Sequence, residues 1–132
     1  MKNSLAAAVR DFVDKLDHRA LQVQVYTAGL DERLDPQLEA VLYRVIQECV
    51  NNVIRHSGAD RLDISILREP GELIASVEDN GRGFEPDDSG GMGLRNIRTR
   101  VEYLKGEVEF DTHPGRGTVV SIRIPLADNS VI

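Results

Sequence analysis

Glu48 and Asn52 stand one helical turn apart, so a carboxylate and a neutral amide face the same side of one segment. Three further stretches follow in order, Asp79-Asn-Gly-Arg-Gly83, Gly90-Gly-Met-Gly-Leu94 and Gly115-Arg-Gly-Thr118. Glycine-rich turns beside polar side chains are what a phosphate-bearing ligand needs. The loops between Gly81 and Gly93 hold five glycines and end at a helix start, where free N–H groups and the helix dipole favour an anion such as a polyphosphate. Each stretch is weak alone, but their order describes a nucleotide pocket. Neither the Walker pattern nor a dinucleotide-binding glycine fingerprint occurs, so the phosphate cradle belongs to another class.

The elements that must position these residues follow from the hydrophobic period. Leu5, Val9, Phe12, Val13 and Leu16 predict a helix over 4–16, and Leu21, Val23 and Val25 alternate with glutamines as in a strand wet on one face. Residues 35–56 form the longest helical run, with Asp35 as N-cap, Pro36 at the first position and Ser57-Gly58 as its stop. Leu62-Ile64-Ile66 and Leu73-Ala75-Val77, parted by Glu69-Pro70-Gly71, predict a hairpin. Leu94, Ile97, Val101 and Leu104 mark a helix that Gly106 stops, and Val108-Phe110 and Val120-Ile122-Ile124 supply two last strands around Pro114-Gly115. Five strands and three amphipathic helices predict an α+β fold, a two-layer sandwich with helices covering one face of a mostly antiparallel sheet. One domain over 1–126, followed by a short tail at 127–132, accounts for the chain.

Composition narrows the partners. A net charge of -6 argues against a nucleic-acid backbone binder. Cys49 is the lone cysteine and sits in an apolar helical run, which suits a buried small side chain and a reducing, cytoplasmic compartment. Nothing approaches the roughly 18 apolar residues of a membrane span, and the first residues are too short in their apolar part for a signal peptide, so no membrane contact by this segment is expected.

Polar residues on core-facing positions are the sharper signal, because burying one without a partner costs about 1–3 kcal/mol. Asn52 and His56 fall within the apolar arc of the long helix, with Glu48 on its edge. Asp79 shares the parity of Leu73, Ala75 and Val77, and Thr118 that of Val120, Ile122 and Ile124. Ordinary structural roles exist for each: Asn52 bonded to a loop, His56 offsetting the helix dipole, Asp79-Asn80-Gly81 as a tight turn and Gly115-Arg-Gly117 as a hairpin loop. Three elements aiming polar groups inward nevertheless point to one shared site.

These residues resemble the GHKL ATPases, which include sensor histidine kinases, type II topoisomerases, mismatch-repair MutL and the large heat-shock chaperones. Tyr43 to His56 looks like the N box, Asp79-x-Gly81-x-Gly83 the first glycine box, Gly91-x-Gly93-Leu94 the second and Gly115-x-Gly117-Thr118 the closing motif. The match spans nearly the whole chain and implies the Bergerat ATP-binding fold. Glu48, the Arg55-His56 ending and a short lid between Phe84 and Gly90 are most similar to sensor kinases of the NarL-partner type.

The resemblance implies roles with a physical basis. Asn52 would contact Mg²⁺ that arrives with ATP, since a neutral amide oxygen suits an ion that also holds phosphates and waters. The Asp79 carboxylate would accept from the adenine amino group, which favours ATP over GTP because guanine presents a carbonyl there. Thr118 would support that contact through its hydroxyl. Gly81 and Gly83 would permit close backbone approach, and Gly91, Met92, Gly93 and Leu94 would wrap the phosphates. Arg55 and His56 would neutralise phosphate charge, with Arg95 as a further candidate. Glu48 would orient or deprotonate the nucleophile.

The acceptor of the phosphoryl group is expected elsewhere. Kinases of this type phosphorylate a histidine followed by an acidic residue on separate dimerisation helices, whereas here His18 precedes Arg19, His56 precedes Ser57 and His113 precedes Pro114. The chain therefore looks like a catalytic and ATP-binding domain, monomeric by itself, of a dimeric parent kinase with a membrane anchor as one option for its sensor. That parent would act on a response regulator. A stand-alone serine kinase or ATPase, and a nucleotide-binding module without transfer, are the alternatives.

Overall fold

Residues 4–83 and 93–126 are described by a computed structural model of the protein. The first helix, α1 (Leu5–Asp14), is capped by Ser4, whose hydroxyl accepts from the Ala7 N–H, and buries Leu5, Val9 and Val13. It ends two residues short of the stretch expected from its period. Strand β1 (Gln22–Ala28) follows, then α2 (Pro36–Asn52), where the Asp35 side chain accepts from the Gln37 N–H and Pro36 occupies the first turn. The hairpin pairs β2 (Arg61–Glu69) with β3 (Glu72–Asp79). Helix α3 (Leu94–Tyr103) and the strands β4 (Glu107–His113) and β5 (Gly117–Pro125) complete the order.

The long helical run is not one helix. After Asn52 the chain widens into a π-turn, Val53–Ser57, closed by Gly58 in the left-handed region at φ 68°. The hydrophobic period had extended an α-helix to residue 56. A single π-turn keeps the side chains on nearly the same face, so the pattern hardly registers it.

The sheet order is β1-β2-β3-β5-β4, with β1 parallel to β2 and the remaining pairs antiparallel. The α+β, two-layer expectation is met by this mixed sheet with three helices on one face. Alternation explains it: Leu62, Ile64 and Ile66 on β2, Leu73, Ala75 and Val77 on β3, and Val120, Ile122 and Ile124 on β5 are all buried toward the helices. Leu42, Val45, Ile46 and Val50 fill the layer from α2, and Ile97 and Val101 from α3. An edge-to-face contact between Phe12 and Tyr43, centroids 6.4 Å apart, ties α1 to α2.

One buried charge lies in this core. Glu39 is 1% exposed and accepts from the Arg33 side chain at 2.7 Å and from the Leu34 N–H at 3.3 Å. The Arg33 hydrogen bond holds the Glu39 carboxyl below the usual carboxylate value against the opposing effect of burial. Among the described residues no helix is long and apolar enough to cross a membrane.

Candidate functional site

Where α2 ends, its inner face meets the last residue of β3 and the first residues of β5. Asp79 and Thr118 lie directly opposite each other in the β3–β5 register, as the parity of both strands requires. Both are buried, at 9% and 7% exposure, and Asn52 at 8% faces them from α2. With Cys49, Val53, Ser57, Gly83, Leu94, Ile97 and Val120 they line one pocket. Its enclosed volume is about 30 Å³, a narrow slot that seats only part of a nucleotide-sized ligand.

Chemically the pocket is an apolar slot with a few polar groups at fixed places. The Asp79 carboxylate accepts from the Gly81 N–H at 2.8 Å. Burial pushes its proton affinity up, and the backbone groups of Gly81 and Thr118 pull in the opposite direction. The Thr118 hydroxyl donates to the Thr112 hydroxyl at 3.1 Å, which orients it beside the carboxylate. Cys49 is fully buried, and burial together with the neighbouring Glu48 charge pushes its thiol up to about 12, so it is a neutral wall and not a nucleophile.

The π-turn fastens this slot. Ser57 donates from its hydroxyl to the Val53 carbonyl at 2.7 Å and accepts from the Ala59 N–H at 3.0 Å. The Arg82 N–H donates to the Ser57 carbonyl at 2.9 Å and its side chain to the His56 carbonyl at 2.8 Å. The Gly115 N–H in turn donates to the Arg82 carbonyl at 2.6 Å. Asn80 adds a second fastening, accepting from the Asp60 and Arg61 N–H groups and donating to the Asp60 carboxylate at 2.8 Å. Three loops distant in sequence thereby become one wall.

Two glycines carry a meaning that the sequence had assigned to ligand approach. A Cβ on Gly81 would stand 2.5 Å from the Ser57 Cβ, and one on Gly83 would stand 2.8 Å from the Thr112 hydroxyl. Close packing of the protein on itself already demands glycine at both positions. At Gly93, which caps α3 at φ 69°, a Cβ would strike the Glu48 carboxylate. Glu48 thus sits against the start of α3, beside the pocket and outside its lining.

Of the remaining expected residues, Arg55 is exposed and His56 half-buried, and neither lines the pocket. Gly91 and Met92, with the stretch 84–92, lie outside the described residues. Ser57 and Asn80 escaped the sequence reading as site residues. Their signal was only a Ser-Gly helix stop and an Asp-Asn-Gly turn, neither of which reveals which carbonyl or loop it will meet.

The implied magnesium can be tested against this donor set. Among the described residues no three His, Cys, Asp or Glu side chains cluster to hold a metal. The Asn52 amide lines the pocket and offers a neutral hard oxygen there. That fits an ion whose other ligands are water and the phosphates it arrives with.

Comparison with known proteins places the chain in a family. The family described as histidine kinase-, DNA gyrase B-, and HSP90-like ATPase matches residues 37–128. The oxygen sensor histidine kinase NreB of Staphylococcus carnosus is 31% identical over 94% of this chain, which spans 37% of that relative's length. Among solved structures, the blue-light activated histidine kinase of Erythrobacter litoralis EL346 superposes with a TM-score of 0.71 at 26% identity, over 97% of this chain and 41% of that one. The ATP binding domain of PrrB from Mycobacterium tuberculosis shares the fold at a TM-score of 0.69 and 18% identity, over 93% and 91% of the two chains. With the family match covering most of the chain from α2 through β5, this protein belongs to the histidine kinase-, DNA gyrase B-, and HSP90-like ATPases.

Proposed function

We propose that the chain binds ATP with Mg²⁺ and donates the γ-phosphoryl group to a histidine on a separate dimerisation domain, as the catalytic part of a two-component sensor kinase. The observation that carries this reading is the buried Asp79 carboxylate. It lines an apolar slot beside Thr118, has an oxygen anchored by the Gly81 N–H, and lies across from Asn52. A buried acceptor with no cation beside it among the described residues suits a neutral N–H donor such as the adenine amino group, and rejects a carbonyl in that place.

Asn52 holds the phosphate end through its amide oxygen, and the N-terminus of α3 turns free N–H groups toward the same end. When bound, Mg²⁺ neutralises phosphate charge and aligns the oxygens for in-line transfer. Glu48 accepts from one imidazole N–H of the incoming histidine, so that the other nitrogen points its lone pair at the γ-phosphorus. That nitrogen forms the new bond as the bond to the bridging oxygen breaks, ADP leaves, and the imidazolium proton passes to Glu48. The similarity to a protein named as an oxygen sensor histidine kinase supports a histidine acceptor over a serine one.

Calorimetric titration with ATP and GTP, with and without Mg²⁺, tests the pocket. Saturable binding of ATP and weak or no binding of GTP is expected, and the Asn52→Ala variant should lose most of the Mg²⁺ dependence. Phosphotransfer from [γ-³²P]ATP to the parent kinase's dimerisation domain tests the reaction. Binding without any transfer to histidine, or transfer to a serine instead, would overturn the kinase assignment.

A further inference from the structure

Asp79, Thr118 and Thr112 lie in one row across the sheet. Asp79 on β3 stands opposite Thr118 on β5, and Thr118 stands opposite Thr112 on β4. Asp79 and Thr118 line the nucleotide slot, but Thr112 does not. It is half-buried behind them and packs against the backbone of Gly83, where a Cβ would come within 2.8 Å of its hydroxyl. The core-facing positions of β4 are Val108, Phe110 and Thr112, so a hydroxyl takes the place of an apolar side chain only at the end of the strand beside the slot.

A hydroxyl has one proton to give and two lone pairs to offer. The Thr118 hydroxyl has an acceptor as cross-strand neighbour on each side, the Asp79 carboxylate on β3 and the Thr112 hydroxyl on β4. Donation to a carboxylate is charge-assisted and is the stronger bond of the two. The proton nevertheless goes to Thr112, at 3.1 Å. Backbone groups of Gly81 and Thr118 hold the carboxylate instead, the Gly81 N–H at 2.8 Å. The carboxylate thus keeps lone pairs for a ligand, and Thr118 turns an acceptor toward the slot. This end of the slot sets two side-chain acceptors next to each other and gives no hydroxyl proton to what enters.

We infer that Thr112 is a positioning residue that fixes the direction of the Thr118 proton, and that this direction is what makes the slot reject a 6-oxo purine. With Thr112 in place, a 6-amino group meets acceptors, and a carbonyl in the same position meets only lone pairs. Without Thr112 the Thr118 hydroxyl has two other uses for its proton. It turns to Asp79 and occupies a lone pair that the amino group needs, or it turns into the slot and donates to a carbonyl. Both turns shift preference from adenine toward a 6-oxo base. The inference rests on the adenine reading of Asp79 and adds a residue outside the slot that controls its selectivity.

The test compares ATP with ITP, which carries a carbonyl for the 6-amino group and a proton on N1 and has the same sugar and phosphates. In calorimetric titrations with Mg²⁺ the wild-type chain should favour ATP by at least about 10-fold. Thr112→Val keeps the shape and suits a strand but has no acceptor. It should lower that ratio about 3-fold to 10-fold, the range for one neutral hydrogen bond. Thr112→Ser should restore the ratio. Thr112→Ala, which is smaller beside Gly83, should repeat the valine result and replaces it where the valine variant does not melt cooperatively. In a Thr118→Val background, Thr112→Val should leave the ratio where it was, because no proton remains to be directed. Equal weakening of both nucleotides, an unchanged ratio, or the same loss of ratio in the Thr118→Val background would overturn the inference and leave the adenine reading standing. A wild type that binds ATP and ITP equally well would overturn the adenine reading, and this inference with it.

Discussion

Burial raises the proton affinity of the Asp79 carboxyl, so without a ligand its ionised form weakens the folded state. The sign follows from the shift. Because the folded-state value lies above the unfolded one, stability is lost as pH rises from the ordinary carboxylate value through the folded value. Asn at this position keeps an oxygen for the Gly81 N–H and removes the charge. Asp79→Asn should therefore melt no lower than wild type near pH 7, with any advantage vanishing as the pH falls into the carboxylate range. The same variant should bind ATP about 10-fold to 150-fold more weakly, the worth of a charge-assisted hydrogen bond. Melting curves across pH and calorimetry check the two halves, and undiminished ATP affinity would remove Asp79 from base recognition. Glu48→Gln should behave differently, cutting the rate of phosphotransfer at saturating ATP by a factor of about 10² or more while ATP affinity holds. Single-turnover rates decide it, and equal rates would exclude Glu48 from the chemistry. At this scale the sequence was informative: the parity of Asp79 and Thr118 and the position of Asn52 were readable because periodic elements carry all three. The exact place of Glu48 against Gly93 was not, since it depends on how α3 approaches α2.

Elements were legible where burial imposes a clean period, as on β2, β3, β5 and α3. Legibility failed where backbone and loop contacts decide. The π-turn after Asn52 leaves the apolar pattern intact, and the fastening of Arg82 to Ser57, His56 and Gly115 depends on strand order, which no local pattern encodes. Glu39 is the other case: a glutamate on a helix reads as solvated, yet Arg33 in the preceding loop reaches back to pair with it. The pair is asymmetric, with 45% of the Arg33 side chain exposed and 2% of the Glu39 side chain. Removing the arginine strands a buried carboxylate, whereas neutralising the glutamate leaves a guanidinium that can turn to water. Arg33→Ala should thus destabilise the fold near neutral pH, and Glu39→Gln less. The Glu39 carboxyl is held below its unfolded value, so the pair's contribution is present above that value and is lost as pH falls through the folded one. Chemical denaturation of both variants at pH 7 and at pH 3 to 4 measures this, and an Arg33→Ala cost that persists undiminished at the lower pH would contradict it.

For the molecule as a whole, ligand and fold should be coupled, because Asn52, Asp79 and Thr118 bring α2, β3 and β5 to one pocket. ATP at 100 times its dissociation constant adds about 2.7 kcal/mol to unfolding, a rise in melting temperature of roughly 5–10 °C for a domain of this size. ATP with Mg²⁺ should produce that rise, GTP should not, and chelation should reduce it. Scanning calorimetry reads all three, and an equal rise with GTP would mean that the base goes unread. The π-turn has a further consequence, one of chain length. A π-turn is an α-turn holding one residue too many, and Ile54, at 51% exposure, is a residue the core can spare. A descendant of this sequence lacking that single position would run an ordinary α-helix up to Gly58, and the His56 and Ser57 carbonyls that Arg82 now meets would be engaged by the α-helical ladder instead. Its sheet would be untouched and its pocket wall unfastened. Insertions and deletions are usually tolerated in loops and refused in helices, but at this one place the spacing itself is part of the site, and a frame of five residues has to be inherited intact.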